Sequence, residues 1–179
     1  MSEVSAAQLR AAIRAVPDFP RPGVLFRDVT PLLADARLFA ATIAALAEPW
    51  RASAVAHVAG IEARGFILGG ALAQTLQAGF IPIRKRGRLP RASLRAPYAL
   101  EYGGDEIEVH QDALKPGERV LLVDDLLATG GTAAAAVQLL RELRAVILGA
   151  AFIIELAELG GAARLAAQGL PVHRLVRFP

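Results

Sequence analysis

Residues 120–132 read Val-Leu-Leu-Val-Asp-Asp-Leu-Leu-Ala-Thr-Gly-Gly-Thr. Four consecutive apolar residues, with no polar residue alternating among them, predict a strand covered on both faces, the strand type of a parallel sheet flanked by helices. Asp124 and Asp125 follow at its carboxyl end, where open α/β sheets hold their ligands. Ala128, Thr129, Gly130, Gly131 and Thr132 then bring small side chains, hydroxyls and free backbone N–H groups, and Thr132 with the four alanines after it opens a strongly helical stretch. A helix N-terminus with exposed amides receives an anion, usually a phosphate. A Walker loop requires a lysine where Thr132 follows Gly131, and the dinucleotide fingerprint G-x-G-x-x-G is not present. A plainer reading, a strand-turn-helix with acidic capping residues and a Gly-Gly turn, stays open on these residues alone.

Strand and helix signals alternate along the rest of the chain. Helices are predicted over 5–15, 38–47, 66–77, 132–143 and 161–167, and buried strands over 54–59, 80–83, 120–123, 146–154 and 172–176. Two further short strands, 98–102 and 107–111, flank Gly103-Gly104-Asp105, a hairpin signal. The expected fold is therefore α/β: a mainly parallel, twisted sheet with helices on both faces, an antiparallel flap, and a proline-fixed N-terminal hood over 1–34. Residues 84–97 are polar, basic and interrupted by prolines, which predicts a mobile loop, and with the hairpin they form a candidate lid over 84–111. No repeat or linker divides the 179 residues, a length that suits one domain over 1–179.

Composition narrows the function classes. The hydrophobic fraction is 54%, yet no apolar run approaches the roughly 20 residues of a membrane span, so no membrane partner is expected. The N-terminus shows no basic stretch leading into an apolar one, and a cytoplasmic location is the expectation. The absence of cysteine excludes disulfides and thiolate chemistry. The net charge is +3, but Arg84, Lys85, Arg86, Arg88, Arg91 and Arg95 supply twice that, leaving the remainder net acidic. A local basic cluster suits a small polyphosphate at least as well as a duplex, and aromatic residues do not interleave with it, so no nucleic-acid partner is expected. His57, His110 and His173 are scattered without metal-ligand spacing.

A second strand-turn-helix junction is Gly60-Ile61-Glu62-Ala63-Arg64-Gly65. Its arginine could grip a second phosphate with a bidentate fork or could simply be solvated; two such turns at one sheet edge favour the first. Glu101 on the flap could exchange a proton with a ligand or lie on a solvated face.

The Asp-Asp-Leu-Leu-Ala-Thr-Gly-Gly-Thr run after four apolar residues resembles the signature of the purine and pyrimidine phosphoribosyltransferases. Leu100-Glu101-Tyr102-Gly103 and the run Phe19-Pro20-Arg21-Pro22-Gly23-Val24-Leu25-Phe26-Arg27-Asp28 resemble motifs of the family's adenine-specific branch. The resemblance implies transfer of the phosphoribosyl group of phosphoribosyl pyrophosphate to adenine, giving AMP and pyrophosphate. It implies that Asp124 and Asp125 meet the ribose hydroxyls, and that Ala128, Thr129, Gly130, Gly131 and Thr132 cradle the 5′-phosphate. Ala63 and Arg64, often across a non-proline cis peptide, and Lys85 would hold pyrophosphate. Glu101 would act as general acid/base with Tyr102 beside it. The hood would read the base through backbone groups near Leu25 and Arg27, and Leu156 would pack on the base's other face. Mg2+, held mainly by the substrate with at most a contact near Asp124, and a homodimer are also implied. One departure stands out: the turn after the 132–143 helix, usually glycine-bearing in the family, reads Leu143-Arg144-Ala145. Two rivals are a phosphoribosyltransferase for another purine base, and a regulator that senses phosphoribosyl pyrophosphate and binds nucleic acid. The adenine-type motifs argue against the first, and the few residues ahead of the hood, too few for a helix-turn-helix, argue against the second.

Overall fold

The computed structural model describes residues 4–99 and 104–179. In chain order, α1 (Ala6–Ala12) leads into a hairpin of β1 (Arg14–Pro17) and β2 (Leu25–Asp28), followed by α2 (Thr30–Ala34) and α3 (Ala36–Ala47). Then come β3 (His57–Ile61), α4 (Arg64–Leu76), β4 (Gly79–Lys85), β5 (Ser93–Ala99) and β6 (Gly104–His110). β7 (Arg119–Leu127), α5 (Gly131–Glu142), β8 (Val146–Leu156), α6 (Gly161–Ala166) and β9 (Val172–Phe178) complete the described chain.

Seven strands form one sheet in the order β5-β6-β4-β3-β7-β8-β9. The run from β4 to β9 is parallel, and β6 and β5 add to its edge antiparallel. From β3 the chain winds to β4 on one side, whereas β7, β8 and β9 step away on the other. The winding thus reverses between β3 and β7, and the crevice beyond their carboxyl ends is where such sheets bind ligands.

The apolar run of β7 explains why the sheet is covered on both faces. Val120, Leu121, Leu122 and Val123 are fully buried. Val120 and Leu122 lie in one core cluster with Ala136, Val137 and Leu140 of α5; Leu121 and Val123 lie in the other, against α4, with Leu68 and Leu72. Each such side chain contributes about 1.5–3 kcal/mol relative to exposure, an upper range because unfolded chains are not fully extended. The alanines of α5 keep that helix close to the sheet. α3 begins at Ala36, before its apolar periodicity, because Asp35 caps it, accepting from the amides of Arg37 and Leu38 at 2.9 Å each.

Three stretches differ from the sequence expectation. The 54–59 strand is displaced to His57–Ile61, since Ala54 has φ +45° and cannot extend the strand. The hood contains the β1–β2 hairpin, closed where Asp18 Oδ1 accepts from the Gly23 amide at 2.8 Å, and is followed by α2, whose Pro31 sits in the first turn, where no N–H is needed. The predicted loop 84–97 is shorter: β5 starts at Ser93 and pairs with β6 from Ser93–His110 to Ala99–Gly104. The reason is Glu108 of β6, only 1% exposed. Its carboxylate accepts from the amides of Arg88 (2.8 Å) and Leu89 (2.9 Å), Ser93 Oγ (3.1 Å) and Arg95 Nε (3.3 Å). Among the described residues no helix is long and apolar enough to cross a membrane.

Candidate active site

β7 runs through both acids to Leu127 rather than stopping before them. Its face alternation slips across Asp124 and Asp125: Leu121 and Val123 face the α4 side, yet Leu126 joins that side and Leu127 the α5 side. The acids therefore occupy an irregular step of the strand, at the winding reversal, apart from the register shift against β8 between Val120 and Leu121.

Arg64, the first residue of α4, donates its Nε–H to Asp125 Oδ2. Asp125 is 4% exposed, and its own amide donates to Asp124 Oδ1 at 2.9 Å. Burial and the neighbouring Asp125 push the Asp124 carboxyl well above the usual carboxylate range, against the pull of the Asp125 amide and Arg64. Part of Asp124 remains open to the cavity beside it. Burial opposes the Arg64 charge, but Asp125, Asp124 and Asp28 more than restore it.

Glycines permit this approach of two loops. A Cβ on Gly65 would lie 2.9 Å from Asp124 Oδ1, and one on Gly60 would lie 2.7 Å from the Gly65 carbonyl oxygen. The Glu62–Ala63 peptide between them is cis, as the resemblance implied, and Ala63 caps α4. On the other side, Gly130 at φ +74° turns the chain into α5 without a side-chain cap, which leaves the first amides of the helix facing outward. Gly161 of α6 backs this loop: a Cβ there would lie 2.3 Å from the Ala128 carbonyl oxygen.

The result is a cavity of about 220 Å³ lined by Arg64, Asp124, Asp125, Ala128, Thr129, Gly130, Gly131 and Thr132, with Phe152 of β8. A larger hollow of about 540 Å³ opens between α5, α6 and Pro97 and Tyr98 of the flap. It carries no acid pair and shares only Gly131 with the first, so the smaller one is the candidate site.

Other expected residues lie around the cavity without lining it. Lys85 ends β4, its ammonium 3.5 Å from Asp105 of the flap. Leu25 is exposed on the hood, and Arg27 lies over the Phe178 ring at 4.1 Å. Leu156 ends β8, in register with Phe178. Glu101 and Tyr102 fall outside the described residues. The structure adds participants that the sequence reading did not assign. Glu62 accepts from Arg84 Nε (3.3 Å) and the Lys85 amide (3.1 Å), tying the β3 turn to the end of β4. Phe26 of the hood lies 5.7 Å from the Arg64 guanidinium carbon. Glu62 stood inside the quoted turn and Phe26 inside the quoted hood motif, but neither was given a role there.

Among the described residues no three His, Cys, Asp or Glu side chains converge on a metal position. Two carboxylates beside a phosphate cradle do suit a hard cation that keeps most of its ligands as water and substrate oxygen.

A family model described as "Phosphoribosyl transferase domain" matches residues 32–166. A curated adenine phosphoribosyltransferase of Rhodopseudomonas palustris (strain BisB5) is 54% identical over 178 residues, covering 99% of this chain and 98% of that protein. The crystal structure of adenine phosphoribosyltransferase from Rhodothermus marinus superposes with a TM-score of 0.92 at 50% identity, covering 97% and 98% of the two chains. That of the Saccharomyces cerevisiae enzyme, complexed with an imino-altritol bisphosphate and adenine, gives 0.89 at 39% identity, covering 96% and 98%.

Proposed function

This chain belongs to the adenine phosphoribosyltransferase family, and on that premise we propose that it transfers the 5-phosphoribosyl group of phosphoribosyl pyrophosphate to adenine. The products are AMP and pyrophosphate. The carrying observation is the convergence of two strand-turn-helix junctions, one bearing Arg64 and one bearing Asp124, Asp125 and the 128–132 loop, on a single cavity. A sugar with phosphate at one end and pyrophosphate at the other fits that arrangement.

The residues divide the work as follows. Ala128, Thr129, Gly130, Gly131 and Thr132 present amides and hydroxyls to the 5′-phosphate at the start of α5. Asp124 and Asp125 accept from the ribose hydroxyls, and Ala63, Arg64 and Lys85 hold the pyrophosphate. Substrate entry requires Arg64 to exchange Asp125 for pyrophosphate, which frees the carboxylate for the sugar. The C1–oxygen bond to pyrophosphate breaks as the ring nitrogen of adenine bonds to C1. The proton on that nitrogen passes to Glu101, beside Tyr102. Leu25 and Arg27 of the hood and Leu156 of β8 bracket the base. Positive charge building at C1 invites attack by water, which the lid excludes. Mg2+, when bound, neutralises pyrophosphate oxygens. Most of the rate enhancement comes from orientation and fixed charge.

A homodimer working in the cytoplasm completes the proposal. Ile67 of α4 and Phe80 of β4, exposed at 49% and 37%, offer an apolar face for it.

The test is nucleotide formation from phosphoribosyl pyrophosphate and Mg2+ with adenine, hypoxanthine, guanine or xanthine supplied singly. AMP from adenine alone is expected. Product from another base would overturn the assignment of the hood, and no product from any base would overturn the enzymatic reading.

A further inference from the structure

Within the hood, the β1–β2 hairpin has few ties to the body it covers, whereas Leu9, Val29 and Leu32 on either side of it are buried in the core. β1 and β2 pack mainly against each other, and Phe19 and Leu25 expose about half of their surface (51% and 49%). One contact is of a different kind. Phe178, the last residue of β9, is 5% exposed, and its ring carries two guanidinium groups: Arg27 of β2 at 4.1 Å and Arg10 of α1 at 4.2 Å from the centroid. Arg10 Nη1 also donates to the Arg177 carbonyl oxygen at 2.7 Å. One ring thus touches both α1 and the hairpin, adding to the packing of Leu9 in the core, and it sits in register with Leu156 on β8.

We infer that Phe178 is the positioning residue for the hood, setting its height over the base. The inference rests on the hood's role as proposed above. Stacking on Phe178 takes up the side chain of Arg27, so that what Arg27 offers a planar ligand is its backbone. Phe178 pairs in register with Leu156 on the neighbouring strand, so the two walls that bracket the base share one support: β9 holds the β8 wall through the sheet and the hood wall through the ring. Of the two cation–π contacts on that ring, Arg27 ties the hairpin itself and Arg10 ties α1, the helix that leads into it.

The experiment measures KM for adenine and for phosphoribosyl pyrophosphate separately in Phe178→Leu, Phe178→Tyr and Arg10→Met. Phe178→Leu keeps apolar bulk and removes the ring face; adenine KM is expected to rise roughly 5- to 30-fold, the equivalent of two lost contacts. KM for phosphoribosyl pyrophosphate stays within about twofold, and Phe178→Tyr, which keeps the ring, restores adenine KM. Arg10→Met, on the exposed side of the clamp, raises adenine KM roughly two- to fivefold and covers the case in which Phe178→Leu fails to fold. A merely structural ring would move both KM values together or neither, and either result overturns the inference. If the wild-type protein makes no AMP, the proposed function fails by itself. Amide exchange of residues 14–28 in Phe178→Leu then decides the clamp: faster exchange supports it and unchanged exchange overturns it.

Discussion

Replacing Glu108 by glutamine isolates what holds the lid. The carboxylate is shut from solvent under a thin cover that is mostly the lid itself, and Oε1 takes both the Arg88 and Leu89 amides. Burial works to raise its pKa, but the hydrogen bonds from Leu89, Ser93, Arg88 and Gly87 outweigh it and hold the group below the ordinary glutamate value. In Glu108→Gln the amide oxygen can still accept from Arg88 and Leu89, but as a neutral acceptor. Charge-assisted bonds contribute about 1.5–3 kcal/mol and neutral ones about 0.5–1.5, so two bonds together lose about 2 kcal/mol. The new NH2 group then faces the Arg95 donor, which adds no stability. The loss is read as amide exchange through local opening of this segment: Arg88 and Leu89 should exchange about 30-fold faster, with the core of β7 unchanged. Trypsin gives a second readout, since Arg86, Arg88 and Arg91 all lie in the segment. The sign with pH follows from the lowered pKa: the tether is complete above the ordinary value of 4.5 and is lost as pH falls through the folded value. Equal exchange rates at Arg88 and Leu89 in variant and wild type would refute the reasoning.

Four other outcomes are expected. Asp125→Asn removes the carboxylate that the proposed function assigns to the sugar, and kcat/KM should fall by about two orders of magnitude or more with the circular dichroism spectrum retained; near-normal turnover would take Asp125 out of the site. Asp124 titrates above its ordinary value of 3.8 when folded, so its protonated form stabilises the fold at low pH and that contribution is lost as pH rises through the raised value. Asp124→Asn should therefore melt higher than wild type at pH 8 while losing turnover, and an unchanged melting point would contradict the assignment. Gly161→Ala would force a Cβ to 2.3 Å from the Ala128 oxygen and 3.0 Å from the Gly130 amide. Displacing the loop should cost about 1–3 kcal/mol and raise KM for phosphoribosyl pyrophosphate at least fivefold, more than KM for adenine. Arg144 holds φ +61° at the end of α5, so Arg144→Gly should gain about 0.5–1 kcal/mol and raise Tm by roughly 1–4 °C in calorimetry; a fall would mean that its side chain holds more than the backbone strain costs.

The parts of the chain that depend on local pattern were legible. The β7 run, the Gly-Gly turn and the α5 alanines each announce their conformation within about a dozen residues, and the alternation of such units implies a parallel sheet. What stayed hidden depended on partners distant in sequence. The Arg64–Asp125 pair joins residues 61 apart, and no spacing rule reaches that far. β5 did carry a period-2 signal, with Leu94, Ala96 and Tyr98 facing the core, but Pro97 and the surrounding arginines read as a loop. Proline is tolerated there because β5 is an edge strand. The hood hairpin was masked by Pro17, Pro20 and Pro22, and the residue that ties it down, Phe178, lies at the far end of the chain. The arginine in place of the family's turn glycine proved structurally mild: the chain takes the left-handed conformation regardless, and the Arg144 amide still bonds the Arg141 carbonyl oxygen at 2.8 Å.

Five of the six cations in the basic run that dominates the charge map are, in the folded chain, closed dipoles. Arg84 faces Glu62, Lys85 faces Asp105, Arg86 faces Glu106, Arg91 faces Asp112 and Arg95 faces Glu108. A cation with a carboxylate at contact projects little field beyond a Debye length of about 8 Å at physiological salt. A polyanion drifting past therefore meets little attraction from these five paired cations. Only a ligand small enough to reach between the paired charges, and able to offer its own oxygens in exchange for theirs, gains from them. Selectivity for a compact diphosphate over a long phosphate backbone can thus be set during the encounter, before any side chain in the cavity has been touched.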